Sequence, residues 1–372
     1  MHSIANSLQA SLFMDAHFAK FRPDNFTKQS RTPWAGHRVV QTVKGSLNLP
    51  FPENVGEFWE FSTSCQLPGY CVAPFNCAFN DLLNAKSDTW LSPSHREIWG
   101  NDTPMLIKYI DAAMDLSLQL HPPIQSILPA PYCGKWESWL ILGNAPGAGI
   151  YLGLATGVTK EMFVNAIYNN LPIKPLLHFV PVKRGEVYTI PPCTLHCLGA
   201  GVCVLEPQLL QPGKAAISLR LHDWNRLYDD NGNIRPQGHP RELHIEEALQ
   251  YVDFNAPRGR TLERRIRCMP NPIHLQAHLK VYHIHHAPCL KGQIIQGTGT
   301  YTCDLPGELT ALMVLQGACD ITVDDKSWHL KSGESGAISA CASHISFACS
   351  DAVIYLARCV PELYNQTCEY SV

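Results

Sequence analysis

Two side chains of metal-binding type stand close together in residues 116–121, where leucine alternates with serine, glutamine and histidine. This alternation predicts a β-strand with its leucines on one face. On the opposite face, Gln119 offers a carbonyl oxygen and His121 an imidazole nitrogen, so both can bind one ion. Ser117 shares that face. An ordinary half-buried strand shows the same pattern, so a metal site requires further ligands elsewhere in the chain.

Residues 134–142 predict a further strand, with Lys135, Glu137 and Trp139 on one face. Glu137 supplies a carboxylate, and Lys135 places a cation beside it. This strand therefore carries a candidate third ligand together with a positive charge.

The segment 182–196 ends in His196 and resembles the second sequence motif of the cupins. In that motif, Gly185 and Pro191 would fix the turn between two strands of a small antiparallel barrel, and the final histidine faces the barrel mouth. Cys193 stands where the motif has its last glycine. The motif thus supplies a candidate fourth ligand.

These segments together give four nitrogen and oxygen donors, which suit zinc and leave room for water or substrate. The donors are Gln119, His121, Glu137 and His196. Cys193 and Cys197 flank the last histidine and are alternative thiolate ligands. The odd offset of Cys197 from His196 along a strand points it away, so we favour the nitrogen and oxygen set.

Other charged residues lie within apolar or alternating segments. Lys108 is the only charge in its apolar stretch, and it either extends to solvent or turns into a site. Arg220 lies between two leucines and needs an anionic partner, either a structural glutamate or a phosphate or enediolate oxygen. Glu57 and Glu60 are candidate ligands in isolation, but we interpret them as structural or supporting groups.

The composition indicates a globular, turn-rich, largely β protein, with 45% hydrophobic and 16% charged residues, 25 Gly and 28 Pro. Its 372 residues suffice for two or three packed units. The formal net charge of −3 argues against nucleic acid as the main partner. No apolar run reaches the roughly 18 residues that a membrane span needs. The 15 cysteines follow no disulfide framework, and the first residues lack signal-peptide features, which predicts a cytoplasmic protein with reduced thiols.

We divide the chain into an N-terminal arm (residues 1–30), a catalytic β domain (31–255) and a C-terminal cupin-like β domain without a metal site (256–372). Within the second part, the apolar period changes from two towards 3.6 at about residues 76–115, which predicts a helical insertion. Gly333 and His344 repeat the spacing of Gly185 and His196, an internal echo of the barrel. No ligand strand precedes His344, so we expect it to be structural.

Over about residues 33–347 the chain resembles the type I mannose-6-phosphate isomerases, especially the bacterial ones. The matching segments are residues 34–36, 56–60, 106–111, 116–122, 134–139, 191–196, 205–208, 220–226 and 241–245. The resemblance implies a mainly β fold of two cupin-type jelly-roll barrels with a helical insertion. It also implies one zinc ion per chain on the four donors, and interconversion of mannose 6-phosphate and fructose 6-phosphate through a cis-enediolate.

In this reaction we assign Arg220 and Lys135 to the sugar oxygens and the proton transfers. Lys108 and Ser117 would help to hold the phosphate or line the site. A lysine desolvated beside zinc and arginine can have a lowered pKa and act as a base, although the sequence leaves open which group removes the C2 proton. The expected partner is a small sugar phosphate, bound by a monomer or weak homodimer.

Three features depart from the family pattern. Ala216 stands where the family usually has an aspartate four residues before the arginine, the family's acidic run after the metal histidine is absent at residues 121–124, and Cys193 replaces a small turn residue. Metal binding is expected to tolerate all three. They leave two other functions open: isomerisation of another sugar or sugar phosphate, and a non-catalytic paralogue that binds metal and sugar phosphate.

Overall fold

The computed structural model describes residues 16–303 and 307–368. Residues 1–15 of the predicted arm therefore lie outside the described residues.

The chain is mainly β. Its strands are β1 (Phe18–Lys20), β2 (Glu57–Phe61), β3 (Tyr70–Cys71), β4 (Cys77–Ala78), β5 (Met105–Ala112), β6 (Leu118–Leu120), β7 (Tyr132–Cys133), β8 (Trp136–Asn144), β9 (Gly149–Leu154), β10 (Leu177–Pro181), β11 (Val187–Ile190), β12 (His196–Leu198), β13 (Val202–Leu209), β14 (Ala215–Ala216), β15 (Leu219–His222), β16 (Arg267–Cys268), β17 (Asn271–Leu275), β18 (Leu279–His285), β19 (Leu290–Cys303), β20 (Thr310–Val323), β21 (Lys326–Lys331), β22 (Ser335–Ile338) and β23 (Ile345–Cys359).

The helices are short. The α-helices are α1 (Phe79–Ala85), α2 (Ser87–Trp90), α3 (Pro93–Trp99), α4 (Lys160–Tyr168), α5 (Ile245–Tyr251) and α6 (Arg260–Ile266), with a π-helix at Val39–Val43 and 3₁₀ turns at Gly45–Leu47, Lys174–Leu176 and Pro361–Cys368. No helix among the described residues is long and apolar enough to cross a membrane.

Two sheets form the first half of the molecule. The six-stranded sheet has the order β16-β11-β8-β13-β5-β2, and the five-stranded sheet has the order β10-β9-β12-β6-β15. One hydrophobic cluster contains Leu118 and Leu120 of β6 and also Trp139 and Ile141 of β8. The strict alternation along residues 116–121 buries the leucines on one face of β6 and leaves Gln119 on the other face, free for a site.

The second half is one eight-stranded sheet with the order β1-β22-β20-β23-β19-β18-β17, and β21 pairs with β20. The largest hydrophobic cluster joins the two halves, since it contains Phe58 and Tyr109 from the six-stranded sheet together with Met313 and Tyr355. The C-terminal sheet is therefore packed onto the outside of the sheet that carries β8.

Glu60 lies at this junction and is structural, as expected. Its carboxylate is ion-paired with the fully buried Lys44 and accepts a hydrogen bond from Ser335 Oγ at 2.7 Å. Lys44 Nζ also donates to the Gly333 carbonyl at 2.8 Å. Because every partner is buried and hydrogen-bonded, this ion pair fixes the position of β2 against the C-terminal sheet.

The predicted helical insertion at residues 76–115 is only partly correct. The three helices α1 to α3 occupy its first part, and Ser92 caps α3 by accepting from the His95 backbone N–H at 3.1 Å. Residues Met105–Ala112 form β5 instead, so the helical prediction is wrong there. All eight residues of β5 are buried between β2 and β13, and a strand buried on both faces shows no alternation that would distinguish it from a helix.

The predicted domain limits also differ from the sheets. Phe18–Lys20, placed in the N-terminal arm, pairs with β22 and is an edge strand of the C-terminal sheet. Arg267–Cys268, placed in the C-terminal domain, pairs with β11 and extends the six-stranded sheet. Pairing across such distances in sequence leaves no local pattern, so composition and periodicity could not reveal it.

The repeated glycine-to-histidine spacing corresponds to a similar turn at the two glycines, but the two histidines differ. Gly185 and Gly333 both adopt positive φ, 89° and 84°. His344, however, is exposed, and its backbone N–H donates to Asp324 Oδ1 at 3.1 Å. Its side chain is therefore not part of a core in the way that His196 is.

Candidate metal centre

Three of the candidate side chains lie in one row of the five-stranded sheet. Gln119 of β6 is directly opposite His196 of β12 on one side and opposite Arg220 of β15 on the other. His121 follows immediately after β6, and Glu137 comes from β8 in the facing six-stranded sheet. The site is thus assembled between two sheets, from strands far apart in sequence.

The predicted ligands converge. Nε2 of His121 lies 3.1 Å from Glu137 Oε2, and Nε2 of His196 lies 3.1 Å from Glu137 Oε1. Gln119 Nε2 lies 3.3 Å from His196 Nε2. The side chains of His121, Glu137 and His196 are almost completely buried, and among the described residues they form the one group of three or more histidine, cysteine or acidic residues suited to a metal ion.

Both histidines are held with Nε2 facing this cluster. His121 Nδ1 hydrogen-bonds to the Ile217 carbonyl at 3.0 Å, and His196 Nδ1 to the Thr194 carbonyl at 2.8 Å. A carbonyl only accepts, so each Nδ1 carries the proton and each Nε2 keeps its lone pair. Burial lowers the pKa of His121 to about 3, which keeps that imidazole neutral. His121 Nε2 is buried without a hydrogen-bond partner, as expected of a metal ligand.

Gln119 is oriented by Ser117, whose Oγ donates to Gln119 Oε1 at 3.2 Å. In this orientation the amide nitrogen faces His196. Turning the amide by half a rotation presents its oxygen to the cluster and lets the nitrogen donate to Ser117 Oγ instead. Ser117 can therefore support either orientation, and the donor set fits a cation in the second.

Lys135 Nζ lies 2.6 Å from Glu137 Oε2. Burial opposes ionisation of both groups. For Glu137, the charge of Lys135 is the largest effect that opposes burial, and the pKa is held well below its usual range. For Lys135, the carboxylates of Glu137 and Glu206 outweigh burial and raise the pKa. The lowered pKa expected for a lysine base is thus not found in this arrangement, because the strand pairs the lysine with a carboxylate.

A cavity of about 620 Å³ opens beside the cluster. Five of the eight predicted site residues line it: Lys108, Ser117, Gln119, Lys135 and Arg220. His121, Glu137 and His196 lie behind this lining, so a bound ion would contact the cavity through the open side near Gln119. The volume is in the range of small-molecule sites.

Arg220 has no carboxylate partner among the described residues. Its Nη1 donates to the Glu242 carbonyl at 2.6 Å, and its Nε is buried without a partner. Its backbone N–H donates to His244 Nδ1 at 3.2 Å, which holds the strand in place. The structural glutamate considered from the sequence is therefore absent within residues 16–303 and 307–368. This leaves a cavity-lining guanidinium free to bind an anionic oxygen.

Lys108 turns into the site and does not extend to solvent. Its Nζ lies 3.6 Å from Glu57 Oε2 and 4.5 Å from the centre of the Trp59 ring. Trp59 Nε1 also donates to Glu57 Oε2 at 2.8 Å. Glu57 is thus a supporting group for Lys108, some distance along the sheet from the metal cluster.

Glu206 also lines the cavity, and no role for it is predicted from the sequence. Its carboxyl accepts from Trp139 Nε1 at 3.1 Å and from the Gln208 amide. Burial, together with the nearby charge of Glu137, raises the pKa of Glu206 to about 8. The only local signal was a glutamate within an otherwise apolar strand. Its protonation keeps a second negative charge out of the cavity floor near neutral pH.

The two cysteines beside His196 do not reach the cluster. Cys197 Sγ donates to the Leu116 carbonyl at 3.1 Å, which confirms that it points away. Cys193 has a φ of 66°, the left-handed conformation that favours the glycine of the motif. Its backbone N–H donates to the His121 carbonyl at 2.7 Å, so the turn holds two predicted ligands together.

Replacing Cys193 with glycine is expected to stabilise the protein by about 1 kcal/mol, because it removes the steric strain of a side chain at positive φ. Urea unfolding of the chelated protein measures this free energy. Cys197→Gly is the matched control, since Cys197 is buried in a strand, and this variant should be less stable than the wild type. An equal loss of stability in both variants would contradict the strain at residue 193.

Ala216, which by the resemblance stands in place of an aspartate, lines the cavity. It lies in β14, which pairs in parallel with β7. No carboxylate therefore stands at this position on the cavity wall.

No family model matches the chain. The chain is similar to a mannose-6-phosphate isomerase of Streptococcus mutans serotype c, with 28% identity over 236 residues, which are 61% of this chain and 66% of that protein. It is also similar to the mannose-6-phosphate isomerase ManA of Bacillus subtilis strain 168, with 30% identity over 207 residues, 54% of this chain and 59% of that protein. The matched region is thus less than two thirds of either relative.

Solved structures extend the comparison over almost the whole chain. The mannose 6-phosphate isomerase from Bacillus subtilis superposes with a TM-score of 0.73 and 21% identity, covering 92% of this chain and 100% of that one. The chain has the phosphomannose isomerase fold. A single-residue mutant of phosphomannose isomerase from Salmonella typhimurium gives a TM-score of 0.68 with 14% identity, covering 93% of this chain and 100% of that one. The resemblance seen in the sequence is thereby confirmed.

Proposed function

We propose that this protein is a zinc-dependent isomerase that interconverts mannose 6-phosphate and fructose 6-phosphate through a cis-enediolate. The observation that carries the proposal is the convergence of Gln119, His121, Glu137 and His196 beside a cavity that also contains an unpaired arginine. We also infer that the two halves of the molecule are cupin-type jelly-roll barrels, with the single zinc site in the first.

Zinc suits the donor set. Zinc–nitrogen and zinc–oxygen distances of about 2.0–2.1 Å in a tetrahedron place neighbouring ligand atoms about 3.3–3.4 Å apart. His121 Nε2 and His196 Nε2 lie 3.1 Å from Glu137 Oε2 and Oε1, respectively. The Gln119 amide nitrogen, which half a rotation would exchange with the amide oxygen, lies 3.3 Å from His196 Nε2. Small movements of these side chains would therefore accommodate the ion.

The cavity has the length for a sugar phosphate bound with its phosphate away from the metal. Lys108 of β5 is opposite Glu206 of β13, and β13 in turn pairs with β8, which carries Glu137. Two strand spacings, about 10 Å, thus separate the Lys108 strand from the ligand strand. An extended six-carbon sugar with a terminal phosphate has a similar length. We therefore assign Lys108 and Ser117 to the phosphate end or the cavity wall.

Isomerisation moves a proton between C2 and C1 while negative charge develops on the C1 and C2 oxygens. A zinc ion held by Gln119, His121, Glu137 and His196 would supply Lewis acidity that stabilises this charge. Arg220 donates its free N–H groups to the same oxygens. Lys135 places a second cation beside them and takes part in the proton transfers by exchanging a proton with the sugar.

Ala216 favours one other function within the same class. Without a carboxylate at this position, ring opening needs another acid or base, and the wall has room for a differently substituted sugar. Isomerisation of another sugar phosphate is therefore the second candidate.

Proton NMR of the zinc-loaded protein with mannose 6-phosphate in D₂O tests the proposal. We expect fructose 6-phosphate to appear together with deuterium at C2, and both signals to stop when the metal is chelated, because conversion requires proton abstraction. Metal-bound protein that gives neither product nor exchange would contradict this substrate. A series of other aldose phosphates would then test the second candidate.

A further inference from the structure

Arg31 is a basic residue of the cavity that the proposed reaction does not yet use. It lies in the segment before β2, is exposed, and lines the cavity near Trp59. Its guanidinium carbon lies 5.0 Å from the centre of the Trp59 ring. Its Nη2 donates to Gln66 Oε1 at 3.1 Å. No carboxylate within ion-pair distance of Arg31 occurs in the part of the chain that the structure describes.

The segment that carries Arg31 is fixed to β2. The Asn25 carbonyl accepts from the Trp59 backbone N–H at 2.8 Å, and the Asn25 side chain donates to the Trp59 carbonyl at 2.9 Å. The Thr27 backbone N–H donates to the Glu57 carbonyl at 3.0 Å. A turn follows, in which the Arg31 backbone N–H donates to the Lys28 carbonyl at 3.1 Å. The backbone that leads to Arg31 is therefore held against β2 by hydrogen bonds to Glu57 and Trp59.

The end of the cavity near Trp59 carries more positive than negative charge. Lys108 Nζ and the Arg31 guanidinium both lie against Trp59, at 4.5 Å and 5.0 Å from the ring centre. Glu57 is the carboxylate that faces them, and it also accepts the Trp59 Nε1–H. Two cations with one carboxylate leave a net positive charge, which a phosphate dianion would offset.

The position of Arg31 and Lys108 against the Trp59 indole suits them to bind a phosphate. The N–H groups of a guanidinium lie in its plane, and an arginine held over an aromatic face can direct them at two oxygens of one phosphate. Lys108 adds a compact charge from the neighbouring strand, since Trp59 and Lys108 are register partners. Both side chains line the same cavity and come from different elements.

We propose that Arg31, stacked on Trp59, binds the substrate phosphate together with Lys108 and so makes the site select phosphorylated over free sugars. The proposal rests on the proposed function and deepens it, because it names the group that distinguishes mannose 6-phosphate from mannose. Arg31 belongs to the segment before the first strand of the catalytic unit, so this segment would contribute directly to specificity.

Steady-state kinetics of Arg31→Ala with mannose 6-phosphate and with mannose test the proposal. We expect KM for mannose 6-phosphate to rise about 10-fold to 100-fold, with kcat changed less than about threefold, because a charged hydrogen-bonding partner of the phosphate is lost. The kcat/KM for mannose should not change. Arg31→Lys should recover part of the loss, since it restores charge without the planar fork.

Arg22→Ala is the matched control. Arg22 lies in the same segment and is exposed, but it pairs with Asp24 at 2.6 Å and does not line the cavity. This variant should behave as the wild type. Equal losses for mannose and mannose 6-phosphate in Arg31→Ala, or no loss for either, would overturn the proposal.

Calorimetric binding of fructose 6-phosphate, fructose and inorganic phosphate separates this proposal from the proposed function. Weaker binding of fructose 6-phosphate and phosphate to Arg31→Ala, with fructose unaffected, supports the phosphate role even if the wild type shows no turnover. Unchanged binding of fructose 6-phosphate in a wild type and variant that both turn over mannose 6-phosphate would overturn the role of Arg31 and leave the isomerase function intact.

Discussion

Replacing Glu137 with glutamine is expected to abolish the proposed metal binding and the proposed isomerase activity together. Glu137 is the one carboxylate of the cluster, and both of its oxygens face an imidazole Nε2 at 3.1 Å. The amide has no charge to offer a divalent ion and turns an NH₂ group towards one of the histidines. We expect bound zinc to fall below about a tenth of an equivalent and kcat/KM to fall at least about 10³-fold. Metal analysis and the NMR assay measure the two effects.

Two controls distinguish ligand loss from misfolding. Glu206→Gln makes the same chemical change in a neighbouring buried carboxyl that touches neither histidine, so it should keep one zinc per chain. Glu137→Gln also leaves Lys135 buried without its carboxylate, which is destabilising. Lys135→Met combined with Glu137→Gln removes that unpaired charge and should regain thermal stability but not zinc. Full activity in metal-free Glu137→Gln protein would show that the ligand set is wrong.

The ligand strands were predictable because their signals are local. Alternation at residues 116–121 assigns Gln119 to a polar face, and the strand predicted at residues 134–142 places Glu137 on one face with Lys135, both without knowledge of the fold. The glycine and proline before His196 predict the turn that presents it. Because side chains alternate between the faces of a strand, the odd offset of Cys197 from His196 predicts that Cys197 points away from the site. In the structure its Sγ donates to the Leu116 carbonyl.

The sequence does not reveal which strands, far apart along the chain, become neighbours in a sheet. The identity of the residue opposite Gln119 on β15, Arg220, depends on a pairing across about a hundred residues, and the stacking of Arg31 on Trp59 depends on an isolated bridge between residues 26 and 58. The helical prediction for Met105–Ala112 is wrong for a related reason. Its burial on both faces is a property of the assembled sheet, and it removes the alternation on which the prediction of a strand relies.

Replacing Arg220 with alanine is expected to reduce kcat by about 10²–10³-fold while leaving the zinc content unchanged. Its guanidinium lines the cavity and donates from Nη1 to the Glu242 carbonyl, while its buried Nε has no hydrogen-bond partner among the described residues, so it is available to the oxygens on which charge develops. The metal should remain because the register between Gln119 and residue 220 is a backbone pairing that alanine preserves. Kinetics and metal analysis of the same sample measure both.

A second arginine, Arg235, provides the matched control for the Arg220→Ala variant. Arg235 is exposed and pairs with Asp229 at 3.6 Å, outside the cavity lining, so Arg235→Ala removes an equal charge from the surface and should retain activity. Arg220→Lys should recover part of kcat, because one charge remains but the fork of N–H donors is lost. If Arg220→Ala keeps full turnover, the arginine has no part in stabilising the enediolate. If it loses zinc, its effect is on the metal cluster, and the charge on the sugar oxygens must then be stabilised by the metal and Lys135 alone.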